Sequence, residues 1–312
     1  MNPLSALLHQ VWFPVMPATR LAFIRIAVGL FSLCYLIPRY SMFLKIAATE
    51  RVSFQPLGVV WWLEAPLSLP VFETLLVATL LANVAFTIGW LYRLTGPLFG
   101  VLLLVLLSYR NSWSMIYHND NAMVLHVLIL GFVAAADAWS IDSWQAKRKT
   151  ADHWSYGWPV QLLSAATLVT YFLSGIAKLK GELGWAWVSG EALRSQVATD
   201  AIRKTLLGEL PPETAFLLYD HIWIFTCIGI LSMLVELGAP LAILTPRARM
   251  FWALNAFAMH WGIFFVMGIT FRYQMAGILF LSFFPVERLV AMLQVRFSRT
   301  PSLVHATHGA AQ

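Results

Sequence analysis

The chain has 312 residues, of which 59% are hydrophobic and only 12% are charged. About a quarter of the residues of a soluble globular domain are charged, so this sequence has too few ionisable groups to cover a water-exposed surface. The composition excludes a soluble enzyme, a disordered protein and a disulfide-stapled secreted domain, and it predicts an all-α, polytopic integral membrane helical bundle.

The formal charge of +6 does not indicate a nucleic-acid surface. The lysines and arginines are scattered near the ends of apolar segments, where they act as topology signals and contacts for anionic lipids. Cys34 and Cys227 both lie inside apolar segments, and no Cys-x-x-Cys pair occurs. A disulfide framework or a thiolate metal site is therefore not expected.

The predicted elements begin with residues 1–20, an interfacial N-terminal segment without the apolar core of a signal peptide. A helix needs about 20 mostly apolar residues to cross a bilayer. On that criterion residues 21–295 form a transmembrane domain of about eight helices, and residues 296–312 form a disordered tail. The candidate spans are residues 22–38, 71–92, 95–108, 121–138, 159–177, 222–245, 249–270 and 274–292.

Two long connections separate these spans, residues 39–70 and residues 178–221. The second contains six of the fifteen acidic residues, and we expect it to fold as a small extramembrane cap with short helices, one of them within GEALRSQVATDAIRKTLLG. An even number of spans places both termini on one side. The basic residues of the short loops, including Lys147, Arg148 and Lys149, assign that side to the cytoplasm, of the inner (plasma) membrane if the source is bacterial.

Ionisable residues inside membrane segments are costly and therefore mark candidate functional sites. By the span count, several of them end on the outer face while His260 and Glu236 lie deeper, which predicts a pocket open on that face. The embedded or boundary residues are Arg25, Arg110, His118, Asn119, Asp120, Asn121, His126, Lys178, Glu236, His260 and Arg272.

Each of these residues also has a structural interpretation. Lys178 can reach the interface from a helix end, Asp120 can cap a helix, and Arg272 can anchor to headgroups. His260 can be an interhelical hydrogen-bond partner, and Glu236 can pair with an embedded arginine or carry a proton. Their joint placement, rather than any single residue, favours the pocket.

The motifs of soluble enzymes are absent from the sequence: it has no Gly-x-Gly-x-x-Gly, Walker lysine loop, Gly-x-Ser-x-Gly or His-Glu-x-x-His. His118 and His126 are eight residues apart, so they do not form a metal-binding pair on adjacent turns. The spacing does not recommend a metal site of His118, Asp120 and His260, although the sequence leaves it open.

Four stretches, in order, resemble the horizontally transferred transmembrane (HTTM) domain family, which includes the vitamin K-dependent γ-glutamyl carboxylase. They are LAFIRIAVGLF, with Arg25 and Gly29; LSYRNSWSMIYHNDNAMVLHVLILGFVAAADAWSID, ending at Asp142; LVTYFLSGIAKLKGELGWAWVSGEAL, with Lys178; and LVELGAPLAILTPRARMFWALNAFAMHWGIFFVMGITFRYQM, with Glu236 and His260.

The resemblance implies a hydroquinone-dependent chemistry. In the carboxylase a lysine that matches Lys178 deprotonates reduced vitamin K, and oxygen then generates a strong base that removes a γ-proton from a glutamate, to which carbon dioxide adds. The implied co-substrates are reduced vitamin K or another hydroquinone, O2 and CO2, without metal, biotin or ATP. An amine desolvated at the hydrocarbon boundary favours its neutral, basic form.

For such an enzyme we expect His118, Asn119 and His260 to join Lys178 as catalytic residues. The residues expected to bind substrate or cofactor are Arg110, Asp120, Arg272, Glu236 and Trp185. A gap-free match puts Asn119, not His118, where the carboxylase has an essential histidine. The carboxylase continues into a large extramembrane domain after its membrane part, whereas this sequence ends at residue 312, shortly after the last predicted span. We therefore expect peptide recognition to fall to the cap or to a separate protein.

Three hypotheses stay open from the sequence. The first is a quinone-coupled, peptide-modifying enzyme, and the second is a non-catalytic membrane factor for peptide maturation or secretion. The third is a transporter with a proton relay of Glu236, His260 and Arg25, which the absence of internal repeats disfavours. The expected partners are the lipid bilayer and a peptide or protein substrate, and no nucleic acid.

Overall fold

A computed structural model describes residues 9–113 and 116–288, and every regular element in that part of the chain is helical. The predicted all-α class is confirmed. The α-helices are α1 (Ala18–Leu36), α2 (Tyr40–Ala47), α3 (Leu69–Ile88), α4 (Tyr92–Asn111), α5 (Asn121–Gly131), α6 (Ile141–Gln145), α7 (Trp154–Lys180), α8 (Glu191–Leu206), α9 (Glu213–Tyr219), α10 (Ile222–Leu237), α11 (Pro246–Met267) and α12 (Arg272–Met275).

The predicted count of eight spans is not confirmed. Within the described residues five helices are long and apolar enough to cross a membrane: Ala18–Ala47, which joins α1 to α2, and then α3, α4, α7 and α11. The pair α9–α10, bent by 110°, would make a sixth. The placement of both termini on one side relied on an even number of spans. With the count unconfirmed, the cytoplasmic location of the termini stays a prediction.

Two of the predicted spans are interrupted by local structure. The fourth candidate, residues 121–138, ends as a helix at Gly131 and continues as a series of turns. The eighth, residues 274–292, is split into α12 and a 3₁₀ helix over Ile278–Phe283, and residues 289–292 lie outside the described part. The third, predicted as a short segment over residues 95–108, is instead the 20-residue helix α4.

A buried arginine holds the turns that follow α5. The guanidinium of Arg25, fully buried in α1, donates hydrogen bonds to the carbonyl oxygens of Ala135 (2.7 Å) and Trp139 (2.5 Å). These carbonyls follow the end of a helix, where no intrahelical donor reaches them. Arg25 therefore satisfies the polar backbone of a non-helical segment inside the bundle, as backbone at membrane depth requires.

Asp142, which ends the second of the four family-like stretches, caps a neighbouring helix. The carboxylate of Asp142 accepts hydrogen bonds from the backbone N–H groups of Leu91 (2.9 Å) and Tyr92 (2.7 Å) at the start of α4. A carboxylate at a helix N-terminus satisfies unpaired donors and complements the helix dipole. In this chain Asp142 thus ties the segment after α5 to the beginning of α4.

The helix pair α4 and α5 approaches closely at two glycines. A Cβ atom built on Gly96 would lie 2.7 Å from the carbonyl oxygen of Gly131, and one on Gly131 would lie 2.5 Å from that of Gly96. Both neighbours are backbone atoms, so neither can rotate away. Small residues at such crossings let membrane helices pack at short distance.

The segment between α7 and α10 forms a small unit that packs on the ends of α10 and α11. Helix α8 falls within the stretch from which a helix was expected, and its Val197 packs with Ala215 of α9 and Phe225 of α10. The N-terminal segment shows a helical turn at residues 9–12, while residues 1–8 and the predicted tail, 296–312, lie outside the described residues.

Candidate functional site

Lys178, near the end of α7, forms an ion pair with Glu236 of α10. The Nζ–Oε1 distance is 2.6 Å, and the two side chains are 25% and 7% exposed. The indole of Trp187 covers the ammonium, with its ring centroid 5.1 Å from Nζ. The partner of Glu236 is therefore this lysine, not the embedded arginine or lone proton expected from sequence.

A glycine one turn before Lys178 makes this pairing geometrically feasible. A Cβ atom built on Gly175 would lie 3.0 Å from Cβ of Glu236 and 2.9 Å from a methyl group of Leu237. The absence of a side chain at Gly175 therefore lets α7 and α10 approach closely, which brings the Glu236 carboxylate within reach of the lysine.

A tyrosine and a histidine continue the same helix face. Tyr171 precedes Lys178 by seven residues, two helical turns, so both side chains project from one side of α7. The Tyr171 hydroxyl lies 3.3 Å from Nδ1 of His260 in α11. Trp252 packs edge-on against Tyr171, at 5.0 Å between centroids, and donates its indole N–H to the carbonyl of Val235, the neighbour of Glu236.

The hydrogen bonds of His260 define which ring nitrogen is free. Nδ1 lies 2.8 Å from the carbonyl oxygen of Ala256, which can only accept, so the neutral ring carries its proton on Nδ1. Nε2 is then left as a hydrogen-bond acceptor. The backbone of α11 therefore orients a histidine whose unprotonated nitrogen is available to a ligand.

Phe271 links this cluster to the polar patch before α5. Its ring centroid lies 5.0 Å from that of His260 and 6.3 Å from that of His118. Gln274 of α12 donates to the carbonyl of Asn119 at 3.5 Å. Phe271 and Gln274 thus connect His260 with His118 and Asn119.

Arg110 and Asp120 are paired with each other at the same end. Their charged groups lie 2.8 Å apart, and the Tyr35 hydroxyl both donates to Asp120, at 2.6 Å, and accepts from Arg110. Asp120 makes no side-chain hydrogen bond to the N-terminus of α5, so it is not acting as the expected cap. Both residues are committed to a buried network that joins α1, α4 and α5.

His126 is fully satisfied within the bundle. Nδ1 contacts the Tyr273 hydroxyl at 2.8 Å, and Nε2 contacts Thr167 Oγ1 at 3.0 Å. Two occupied ring nitrogens leave no group for a ligand, so His126 cross-links α5, α7 and α12 structurally. Arg25 contacts the turns that follow α5, whereas His118 precedes α5 and is linked to His260 through Phe271. Arg25 and His260 are therefore at opposite ends of α5, and the relay of Glu236, His260 and Arg25 is not continuous.

Tertiary contacts change the roles expected for some residues and bring in others that the sequence did not indicate. Trp185 is largely exposed, and Trp187, two residues later, makes the contact with Lys178. Arg272 is exposed at the start of α12. Sequence reasoning missed Tyr171, Trp187, Phe271 and Gln274; only the seven-residue spacing of Tyr171 from Lys178 could have pointed to one of them.

The family model for the HTTM domain matches residues 13–287 of the chain. The chain belongs to the HTTM family. No curated protein and no solved structure matches it. The HTTM match includes every residue of the Lys178–Glu236 and His260 cluster, and together with the apolar helices it makes this a multi-pass membrane protein of that family.

Two buried acceptor atoms in this HTTM domain have no donor among the described residues. They are Oε2 of Glu236 and Oε1 of Gln274. A buried acceptor without a donor is costly and calls for a partner. A phenolic hydroxyl, such as those of a hydroquinone, is a donor of the kind that either acceptor lacks.

Proposed function

We propose that this HTTM protein is a membrane-embedded, hydroquinone-dependent enzyme that modifies a peptide, with the Lys178–Glu236 pair as its base. The observation that carries the proposal is a lysine and a carboxylate 2.6 Å apart in a largely buried, aromatic setting. Carboxylation of a glutamyl side chain is the reaction that the family resemblance favours. When bound, the hydroquinone supplies with O2 the strong base that peptide deprotonation requires.

In this scheme Lys178 and Glu236 act together as the base. In a site of low dielectric constant, a lysine and a glutamate in contact can share one proton, which either Lys178 or Glu236 then holds. When Glu236 holds the shared proton, the neutral amine of Lys178 accepts one further proton from a phenolic hydroxyl, and lysine and glutamate are then both protonated. Positive charge on the pair in turn stabilises the anion left on the ligand.

The histidines and the patch before α5 orient the ligand in this scheme. Nε2 of His260 accepts a hydrogen bond, since its Nδ1 is committed to Ala256. His118 and Asn119 lie beyond Phe271 and border the same region. Arg272, exposed at the rim, contributes positive charge for an anionic peptide or bicarbonate. Arg110 is neutralised by Asp120 and stabilises the wall of the site.

Lys178→Arg separates catalysis from binding. Arginine keeps the positive charge and can pair with Glu236, but it cannot be deprotonated. We expect the oxygen-dependent oxidation of a reduced naphthoquinone in proteoliposomes, and the coupled incorporation of labelled bicarbonate into a glutamyl peptide, to fall by about 10²–10⁴-fold, the usual contribution of a general base.

Lys180→Arg is the matched control, because Lys180 ends the same helix and is not part of the pair. It should leave both rates unchanged. Unaltered hydroquinone oxidation in Lys178→Arg would remove the base from this site. The alternative hypothesis, a non-catalytic membrane factor, predicts that Lys178→Arg leaves peptide maturation or secretion unchanged, because arginine keeps the charge.

A further inference from the structure

The cap formed by α8 and α9 exposes a broad apolar surface. Leu206 and Leu210 are 81% and 95% exposed, and Leu207, Phe216 and Leu217 are also largely exposed. An apolar groove of about 450 Å³ runs between α8 and α9 beside Ile202 and Phe216. An exposed apolar surface of this size usually marks a contact with lipid or with a partner protein.

Helix α9 turns sharply away from the direction of α10. The two helices are bent by 110° at residues 220–221, close to a right angle. Helix α10 presents Leu231 and Leu234 outward on its apolar length, as a bilayer-crossing segment does. If α10 runs across the bilayer, α9 extends parallel to the membrane surface, which is the orientation of an interfacial helix.

Contacts with α11 set the depth of the cap. Thr214, at the start of α9, donates to the carbonyl of Phe265, and Lys204 of α8 donates to that of Met267. Phe265 is exposed and lies in the last turn of a membrane span. The cap is therefore fastened at the level where α11 leaves the hydrocarbon core.

Aromatic and charged side chains at the bend agree with this position. Tyr219 and Trp223 are both exposed on either side of the bend, and such residues are enriched at the membrane–water interface. Arg194 stacks on the Tyr219 ring at 5.5 Å. The charges of Lys204 and Arg203 are matched by Asp200, away from the apolar face.

We propose that the α8–α9 cap is not surrounded by water but lies in the interfacial layer of the bilayer, with lipid acyl chains covering Ile202, Leu206, Leu210 and Phe216 and filling the groove. The bilayer is favoured over a bound peptide because the cap is attached to Phe265 and Met267 at the end of α11, a helix long and apolar enough to cross a membrane. This inference does not depend on the proposed catalysis.

Spin labels on single cysteines test the placement in the full chain. Cys34 and Cys227 are first replaced by alanine, and Leu206→Cys, Leu210→Cys and Gln196→Cys are labelled separately with a nitroxide in phosphatidylcholine vesicles. Gln196 is exposed on the polar side of α8 and is the matched control. Oxygen concentrates in the hydrocarbon phase, whereas a chelated nickel complex stays in water.

We expect the ratio of oxygen to nickel accessibility to be at least several-fold higher at positions 206 and 210 than at position 196. Equal, nickel-dominated accessibility at all three positions would overturn the proposal and leave the face open to water and to a peptide. Low accessibility to both reagents at 206 and 210 would also overturn it, because protein would then cover the face.

Discussion

Replacement of Asp120 by asparagine should strongly destabilise the protein. The Arg110 and Asp120 side chains are only 4% and 13% exposed, and their charged groups lie 2.8 Å apart. Asparagine keeps the size of the side chain and an acceptor for the Tyr35 hydroxyl but leaves the guanidinium of Arg110 buried without a countercharge. Breaking one partner of a buried pair costs about 3–5 kcal/mol.

The ion pair of Asp137 and Arg148 provides the matched control. Its side chains are 22% and 41% exposed, and Asp137→Asn still leaves an acceptor for the Tyr156 hydroxyl. An exposed pair contributes about 0–1 kcal/mol. Thermal unfolding in detergent, followed by the fluorescence of buried tryptophans, should therefore show a drop in midpoint of several degrees for Asp120→Asn and almost none for Asp137→Asn.

Equal midpoints for the two variants would refute the reasoning. In that case the Asp120 carboxylate would not be needed to neutralise Arg110, and both groups would be free for the substrate-binding role that the sequence first indicated. A drop for Asp120→Asn that a saturating hydroquinone fully restores would point the same way.

Three further predictions follow from individual contacts. Glu236→Gln should slow hydroquinone oxidation by about 10²–10⁴-fold, because an amide cannot share the proton of Lys178; an unchanged rate would contradict the paired base. Gly131→Ala should cost about 1–3 kcal/mol in thermal unfolding, because its Cβ meets the Gly96 carbonyl, whereas Gly262→Ala, with nothing within 4 Å, should cost nothing. Burial tends to raise the pKa of Asp200, but hydrogen bonds from Lys204 and Arg203 outweigh it and hold that pKa below the ordinary 3.8. The ionised carboxylate therefore stabilises the cap above pH 3.8. The protease resistance of Asp200→Asn should be lower than that of the wild type at pH 7, and the difference should shrink as the pH drops below 3.8.

Sequence reasoning was effective where a signal is carried by a run of residues. Long apolar stretches identified the membrane class, and a distinct acidic connection contained helix α8. The same criterion overcounted spans, because hydropathy does not report where a helix stops. Residues 132–138 are apolar except for Asp137, yet they form turns, and Arg25 from another helix donates to the carbonyl of Ala135. That contact has no local sequence signature.

The candidate site shows the same division. Lys178, Glu236 and His260 were found because a charged or titratable side chain in an apolar segment is conspicuous. That Glu236 would pair with Lys178 depends on the close approach at Gly175, which is a tertiary property. Phe271 and Gln274 are unremarkable in sequence and gain their importance from position alone, and Arg110 looked available until its network with Asp120 and Tyr35 was seen.

Photocrosslinking with a hydroquinone analogue tests the central claim most directly. The protein in proteoliposomes would be irradiated with a reduced naphthoquinone that carries a photoreactive group on its ring, and the modified peptides mapped by mass spectrometry. The account predicts labelling of the peptides that contain Lys178, His260 or Phe271, competed by the unmodified hydroquinone. Labelling confined to the lipid-facing surfaces of α3 and α4, with none competed near Lys178, would contradict it.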